Sequence, residues 1–258
     1  MQANLGASPE DSLKPRPGNR YRIVAVPVTS PRISGVMVLC VASLKERLVW
    51  IDCEMTGLSL ENDALIEVAA LVTDFDLNVL GDGVDIIIKP PAEALEQMDD
   101  FVRNMHIKSG LLVELENGVT MREAEEQVLA YIWEHCGKDS RPPLGGNTVA
   151  TDRNFLARDM PELEGFLHYR NVDVSSIKEL SRRWFPRAYF ASPPKRGNHR
   201  ALADIQESIE ELRYYREAVF VPMPGPESDV AKEIASRHGA SITGLGDPAD
   251  TPDSTDPA

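Results

Sequence analysis

Two kinds of pattern alternate along the chain. Some runs are apolar at successive positions, as in a strand covered on both faces. Others repeat apolar residues every three or four positions, as on one face of a helix. Leu48-Val49-Trp50-Ile51-Asp52 reads as a strand of the first kind, and Leu65 to Val72 and Val84 to Lys89 as a second and third. The links between them, Gly57 to Asp63 and Asp74 to Gly83, are short and rich in turn residues, which predicts antiparallel neighbours. Helices are expected over Pro91 to Arg103, from the three-residue spacing of Leu95, Met98 and Phe101, and over Thr120 to His135. Thr120 and Glu123 stand at the spacing of a capping box there. A short strand near Pro143 to Gly146 and a helix from Asp152 to Met160 come next. A strand over Tyr169 to Val174 and a helix over Ser176 to Trp184 follow. The last long helix, Leu202 to Ala218, sets Leu202, Ile205, Ile209, Leu212 and Tyr215 on one face. The pattern predicts an α/β domain: a mixed sheet of three antiparallel strands, then alternating helices and strands, flanked by helices.

Composition divides the 258 residues into three parts. Residues 1–46 carry Pro, Ser, Gly and Arg without period, and read as a disordered extension or one begun at a start site too far upstream. Residues 47–221 form the domain. Residues 222–258 read as an acidic, mostly disordered tail with one helix-capable piece from Asp229 to Arg237. The formal net charge is −14, with 27 basic against 41 acidic side chains, and most of the excess falls in the domain. A protein that tracks a long nucleic-acid backbone shows a basic stripe. This acidic domain predicts instead that any nucleic-acid substrate is short or held through metal ions. Three cysteines, Cys40, Cys53 and Cys136, are too few for a disulfide scaffold and read as free thiols in a reducing, cytoplasmic setting. No apolar run approaches the ~20 residues of a membrane span, so no membrane partner is expected.

Three features carry chemistry. On the first strand Asp52 and Glu54 are two residues apart and therefore share one face. Paired carboxylates on a buried strand repel each other and lose hydration. A hard divalent cation removes both costs. The second feature is Asn147 to Asp152 at the start of a helix, where Asp152 alone would read as a simple helix-end acid. The third is His199-Arg200-Ala201-Leu202-Ala203-Asp204, following a Pro-, Lys- and Gly-containing stretch, Ser192 to Asn198, that reads as a mobile loop. A histidine beside carboxylates can take a proton near neutral pH.

Taken together, Asp52, Glu54, Asp152 and Asp204, with His199 five residues before the last acid, resemble the DEDD exonuclease superfamily in its histidine form. The tyrosine form would need Tyr where Arg200 stands. The stretches Leu48 to Leu58, Met98 to His106, Arg153 to Leu163, His168 to Ser175 and Leu212 to Arg216 are similar to the oligoribonuclease family, over about residues 47–221. The resemblance implies an RNase H-like fold. It implies two divalent ions, Mg²⁺ or Mn²⁺, on the four acids, with His199 as general base. It also implies 3′-to-5′ hydrolysis of very short single-stranded RNA, dinucleotides above all, to nucleoside 5′-monophosphates by a homodimer. By the same resemblance Leu58 wedges between two bases. Phe101 stands where the family commonly has a stacking Trp. His106 lies near the 3′ nucleotide, and Thr148 near the substrate backbone. Arg170 and Ser175 contribute to a 5′-phosphate pocket, and Tyr169 is supplied by a partner subunit. Four of these secondary residues also have a plain structural reading: ordinary core or surface apolar positions for Leu58 and Phe101, strand packing on a helix for Tyr169, a helix cap for Ser175. Glu67 and Asp173 are assigned structural parts, Glu67 as a helper on the sheet. Two rivals remain: a superfamily exonuclease acting on longer single-stranded DNA or RNA, and a catalytically silent binding module.

Overall fold

A computed structural model describes residues 46–195 and 199–242. The N-terminal extension, apart from Glu46, and the end of the acidic tail lie outside the described residues.

The sheet has the order β3-β2-β1-β4-β5. Its strands are β1 (Arg47–Met55), β2 (Leu65–Asp74), β3 (Val79–Ile87), β4 (Leu144–Gly146) and β5 (Asn171–Asp173). β1 pairs antiparallel with β2, and β2 with β3, whereas β4 runs parallel to both β1 and β5. The short links thus give antiparallel neighbours, and the longer, helix-containing crossovers give parallel ones.

Alternation along β1 sorts its side chains between two cores. Val49, Ile51 and Cys53 pack with Val128, Leu129 and Ile132 of helix α4 (Met121–Cys136), and with Phe155 and Leu156 of α5 (Ala150–Asp159). Leu48 and Trp50 face the other way, against Ile205, Ile209, Leu212 and Tyr215 of α9 (Ala201–Ala218). Those four side chains are the predicted apolar face of the last long helix, and burying each contributes roughly 1.5–3 kcal/mol. Asp52 and Glu54 continue the Leu48–Trp50 face, so the pleat alone carries both carboxylates to the α9 side. Trp50 satisfies its indole N–H on Thr73 Oγ1 at 3.0 Å. β4 must pass close beneath that ring. A Cβ on Gly145 would come within 3.1–3.2 Å of Trp50 and Leu48, so the closest approach falls to a glycine.

Several boundaries differ from expectation. The predicted helix over Pro91 to Arg103 is two helices, α1 (Ala92–Glu96) and α2 (Asp100–Ser109). Asp99 breaks the run, because its carboxylate accepts from Val102 N at 2.9 Å and restarts the helix. β3 begins at Val79 rather than Val84: Gly81 and Gly83, read as turn residues, take φ of 72° and 82° within the strand, where the β2–β3 register shifts. The expected strand at Tyr169 starts only at Asn171. Helices α3 (Leu111–Glu114), α6 (Pro161–Phe166) and α8 (Pro186–Phe190) are additional, and α7 covers Val174–Trp184. The capping box at Thr120 and Glu123 forms as its spacing predicts. In the acidic tail the helix-capable piece extends to α10, Ser228–Ile242. Among the described residues no helix is long and apolar enough to cross a membrane.

Candidate active site

The acids come together where β1 ends. Glu54 is buried, Asp152 at the first turn of α5 is buried, and Asp52 and Asp204 are partly buried. Asp152 Oδ1 accepts from Cys53 N at 3.0 Å, which locks the start of α5 to the strand between the two β1 carboxylates. Across the sheet Glu54 lies opposite Glu67 of β2. Ligand atoms of Glu54, His199 and Asp204 lie within 4.8 Å of one another, a group able to hold a cation. The structure therefore unites all three sequence features, although they are separated by about a hundred and by about fifty residues.

Electrostatics set what this cluster can hold. Burial, and then the charges of Asp152, Glu54 and Asp204, hold the Asp52 carboxyl well above the usual carboxylate range. Burial, followed by Glu67 and Asp204, pushes Glu54 up to about 8. Asp152 rises to about 7, chiefly by burial and against the pull of backbone N–H groups. Burial and Glu207 raise Asp204. Four oxygen donors whose ionisation is opposed by desolvation and mutual repulsion fit a hard divalent cation, which would reverse both.

His199 sits at the mouth of the cluster with φ of 49°, the left-handed region that residues with a Cβ seldom adopt. Its neighbour Arg200 forms no ion pair with the four acids, although its charge opposes the rise at Glu54. It binds Glu67 and Glu114 instead. Glu67, assigned a structural part from sequence, has no exposed surface and accepts from both Arg200 and Ala201 N. Before residue 196, Lys195 pairs with buried Glu211 at 2.8 Å. Glu211 also receives Lys178 at 3.0 Å and Asn147 Nδ2 at 2.9 Å. No short-range sequence signal marks these two carboxylate anchors, because each joins distant elements.

The secondary residues divide into three groups. Leu58, Phe101 and Tyr169 are 76%, 79% and 75% exposed, which removes the core-packing reading for the first two. Leu58 projects from a turn closed by Asp63, which accepts from Thr56 Oγ1 at 3.0 Å and Ser59 N at 2.8 Å. Tyr169 stacks on His168 at 4.4 Å between centroids, and the Arg170 guanidinium lies 5.5 Å from its ring. Thr148 and Ser175 are joined by a single acceptor: Asp173 Oδ1 receives Thr148 N at 3.0 Å, Ser175 N at 2.8 Å and Ser175 Oγ at 2.6 Å. The cap of α7 is therefore Asp173 and not Ser175. His106 is the third case. Expected beside the 3′ nucleotide, it is fully buried. Its Nε2 donates to the Met55 carbonyl at 2.9 Å, so it braces the irregular end of β1 from below. Burial, and His199 nearby, depress its pKa against the pull of the Met55 carbonyl.

The RNase T exonuclease family model matches residues 49–212, which include Asp52, Glu54, Asp152, His199 and Asp204. An oligoribonuclease of Streptomyces griseus is 70% identical over 197 residues, covering 76% of this chain and 98% of its own length. One from Streptomyces coelicolor is 68% identical over 198 residues, with 77% and 99% covered. One from Mycobacterium bovis is 56% identical over 214 residues, with 82% and 100% covered. Among solved structures, exonuclease I superimposes with a TM-score of 0.56 at 12% identity, covering 68% of this chain and 42% of that one. A zinc-bound complex of E. coli exonuclease I with single-stranded DNA gives 0.54 at 12% identity, covering 79% and 46%. This chain spans less than half the length of those structures, and at such identity the likeness concerns the fold alone.

Proposed function

The chain belongs to the oligoribonuclease family of RNase T-type exonucleases, and from that premise we propose how its site selects and cleaves a substrate. It is a 3′-to-5′ exoribonuclease of short RNA. The reading offered here is finer: the preferred substrate is a dinucleotide, hydrolysed to nucleoside 5′-monophosphates. The observation that carries it is the convergence of Glu54, Asp204 and His199 within 4.8 Å, beside buried Asp152 and partly buried Asp52.

Asp52, Glu54, Asp152 and Asp204 would hold two divalent ions, Mg²⁺ or Mn²⁺. When bound, such ions lower the pKa of the attacking water and stabilise the departing 3′-oxygen. His199, at the open edge of the cluster, accepts the proton of that water. Its place beside a loop suits closure over bound substrate. Leu58 and Phe101 offer exposed apolar surface on which bases can stack, and stacking is indifferent to sequence. Thr148, Arg170 and Ser175 line the path toward the 5′ end. Tyr169 belongs with them and reaches the site of a second copy in a homodimer. The exposed Leu180 and Trp184 on α7, Phe185 between the helices and Phe190 on α8 support such an interface. Two buried, unpaired cysteines, Cys53 and Cys136, suit a reducing cytoplasm.

The test is a length series. Full-length protein with Mg²⁺ is given 5′-labelled RNAs of two to seven nucleotides and matched DNA, with chelator as control. A sharp fall in rate beyond the dinucleotide is expected. Equal cleavage of long strands would keep the metal chemistry and overturn the end pocket, and activity in chelator would overturn the metal reading. Sedimentation of the wild type against Trp184→Glu tests the dimer.

A further inference from the structure

Arg200 directly follows His199, and carboxylates from three other elements surround it. Its Nε donates to Glu67 Oε1 on β2 at 2.8 Å. Nη1 and Nη2 bind the two oxygens of Glu114 on α3 at 3.0 and 3.1 Å, and Nη2 lies 3.9 Å from Asp85 on β3. Glu67 is wholly buried, and its second oxygen accepts from Ala201 N, the first residue of α9, at 3.2 Å. A planar guanidinium held in a fork by Glu114 and by a further bond from Nε to Glu67 is restricted in rotation and translation together, which a single ammonium would not be. The residue it immediately follows is the one with φ of 49°. A left-handed backbone at a residue with a Cβ persists where the surroundings over-determine it, and Arg200 is the adjacent element of that constraint.

We propose that Arg200 is a positioning residue for His199, a reading that rests on His199 being the general base. Through Glu67 it fixes the start of α9 and the residue before it against the sheet. Through Glu114 it ties the same point to α3, which continues from α2, the helix that bears Phe101 and His106. The imidazole is thereby set relative to both the acid cluster and the wall expected to hold the 3′ nucleotide. A simple staple of α9 would serve stability alike whether or not His199 is present. A positioning residue matters only while there is an imidazole to position.

That difference defines the experiment. Arg200→Met, Arg200→Lys and Glu114→Ala are made in the full chain, each with His199 retained and with His199→Ala, and turnover of a dinucleotide is measured with Mg²⁺ under single-turnover and steady-state conditions. Arg200→Met should lower kcat about a hundredfold, the scale expected for a misplacement of about 1 Å, with KM changed by about twofold or less. Arg200→Lys should restore part of the loss, because the charge returns without the fork. Glu114→Ala leaves the Glu67 contact in place and should lower kcat about tenfold with melting temperature unchanged. It carries the test if Arg200→Met fails to fold. In the His199→Ala background all three effects should largely vanish. Equal losses in both backgrounds would overturn the proposal and leave Arg200 a structural staple. Undiminished activity of His199→Ala alone would instead remove the base assignment, and this proposal with it.

Discussion

The acid cluster and the rim around it are built on opposite plans. Asp52, Glu54, Asp152 and Asp204 stand on regular elements that are held by core packing on both faces of the sheet, and their own interactions oppose the folded state. Leu58, Phe101 and Tyr169 stand in the open at about three-quarters exposure and cost the fold almost nothing. Under the proposed reading the chemistry is placed where the scaffold is stiff enough to bear strain, and substrate contact where apolar surface can be offered without it. Loss of a cluster acid should therefore lower activity and raise stability, whereas loss of a rim side chain should lower activity and leave stability unchanged.

The largest effect is expected from the cluster. Asp204→Asn should lower kcat by about a thousandfold or more while raising the melting temperature of chelated protein, since one of four repelling groups is gone. A fall in melting temperature would show that the carboxylate stabilises the fold, against this comparison. Next comes pH. Glu54 at about 8 and Asp152 at about 7 both lie above their unfolded values, so the folded state binds more protons. Their contribution is complete below the unfolded values and is lost as pH rises through the folded ones. Chelated protein should therefore lose stability between about pH 4.5 and 8, and saturating Mg²⁺ should flatten or reverse that slope. Thermal melts across this range with and without chelator would decide it. At the rim, Leu58→Ala and Phe101→Ala should each weaken kcat/KM by roughly 5- to 150-fold, the worth of about 1–3 kcal/mol of base stacking. Their melting temperatures should not move. The smallest effect is Asp173→Ala, which removes a helix cap worth about 0.5–2 kcal/mol and should show mainly in the melting temperature.

How much of this was legible beforehand follows the range of the interactions. The β1 motif, the Thr120 capping box and the α9 stripe are local, and each is written within a few residues of itself. The break between α1 and α2 is also local, but the three-residue spacing of Leu95, Met98 and Phe101 hid it. Met98 proves buried and Phe101 exposed, so these residues never shared one face. Gly81 and Gly83 read as punctuation, although a glycine within a strand can equally mark an irregularity in pairing. Arg200 showed from sequence only that a tyrosine was missing. Its partners Glu67 and Glu114 lie 133 and 86 residues away and bear no periodic relation to it. His106 was placed by resemblance beside the substrate, whereas its burial beneath Met55 depends on how α2 docks against the end of β1, which no local pattern encodes.

One oxygen has a further consequence. Asp173 Oδ1 holds the amide of Thr148, at the entry to α5, and the amide and hydroxyl of Ser175, at the entry to α7. Any motion that withdraws that carboxylate releases both amides at once. The two turns should therefore exchange their backbone hydrogens for deuterium as one cooperative unit, with similar protection at both amides. In Asp173→Ala the two rates should rise together. Under the proposed reading, a segment pair that opens in a single event sets one clock for release of a substrate's 5′ end.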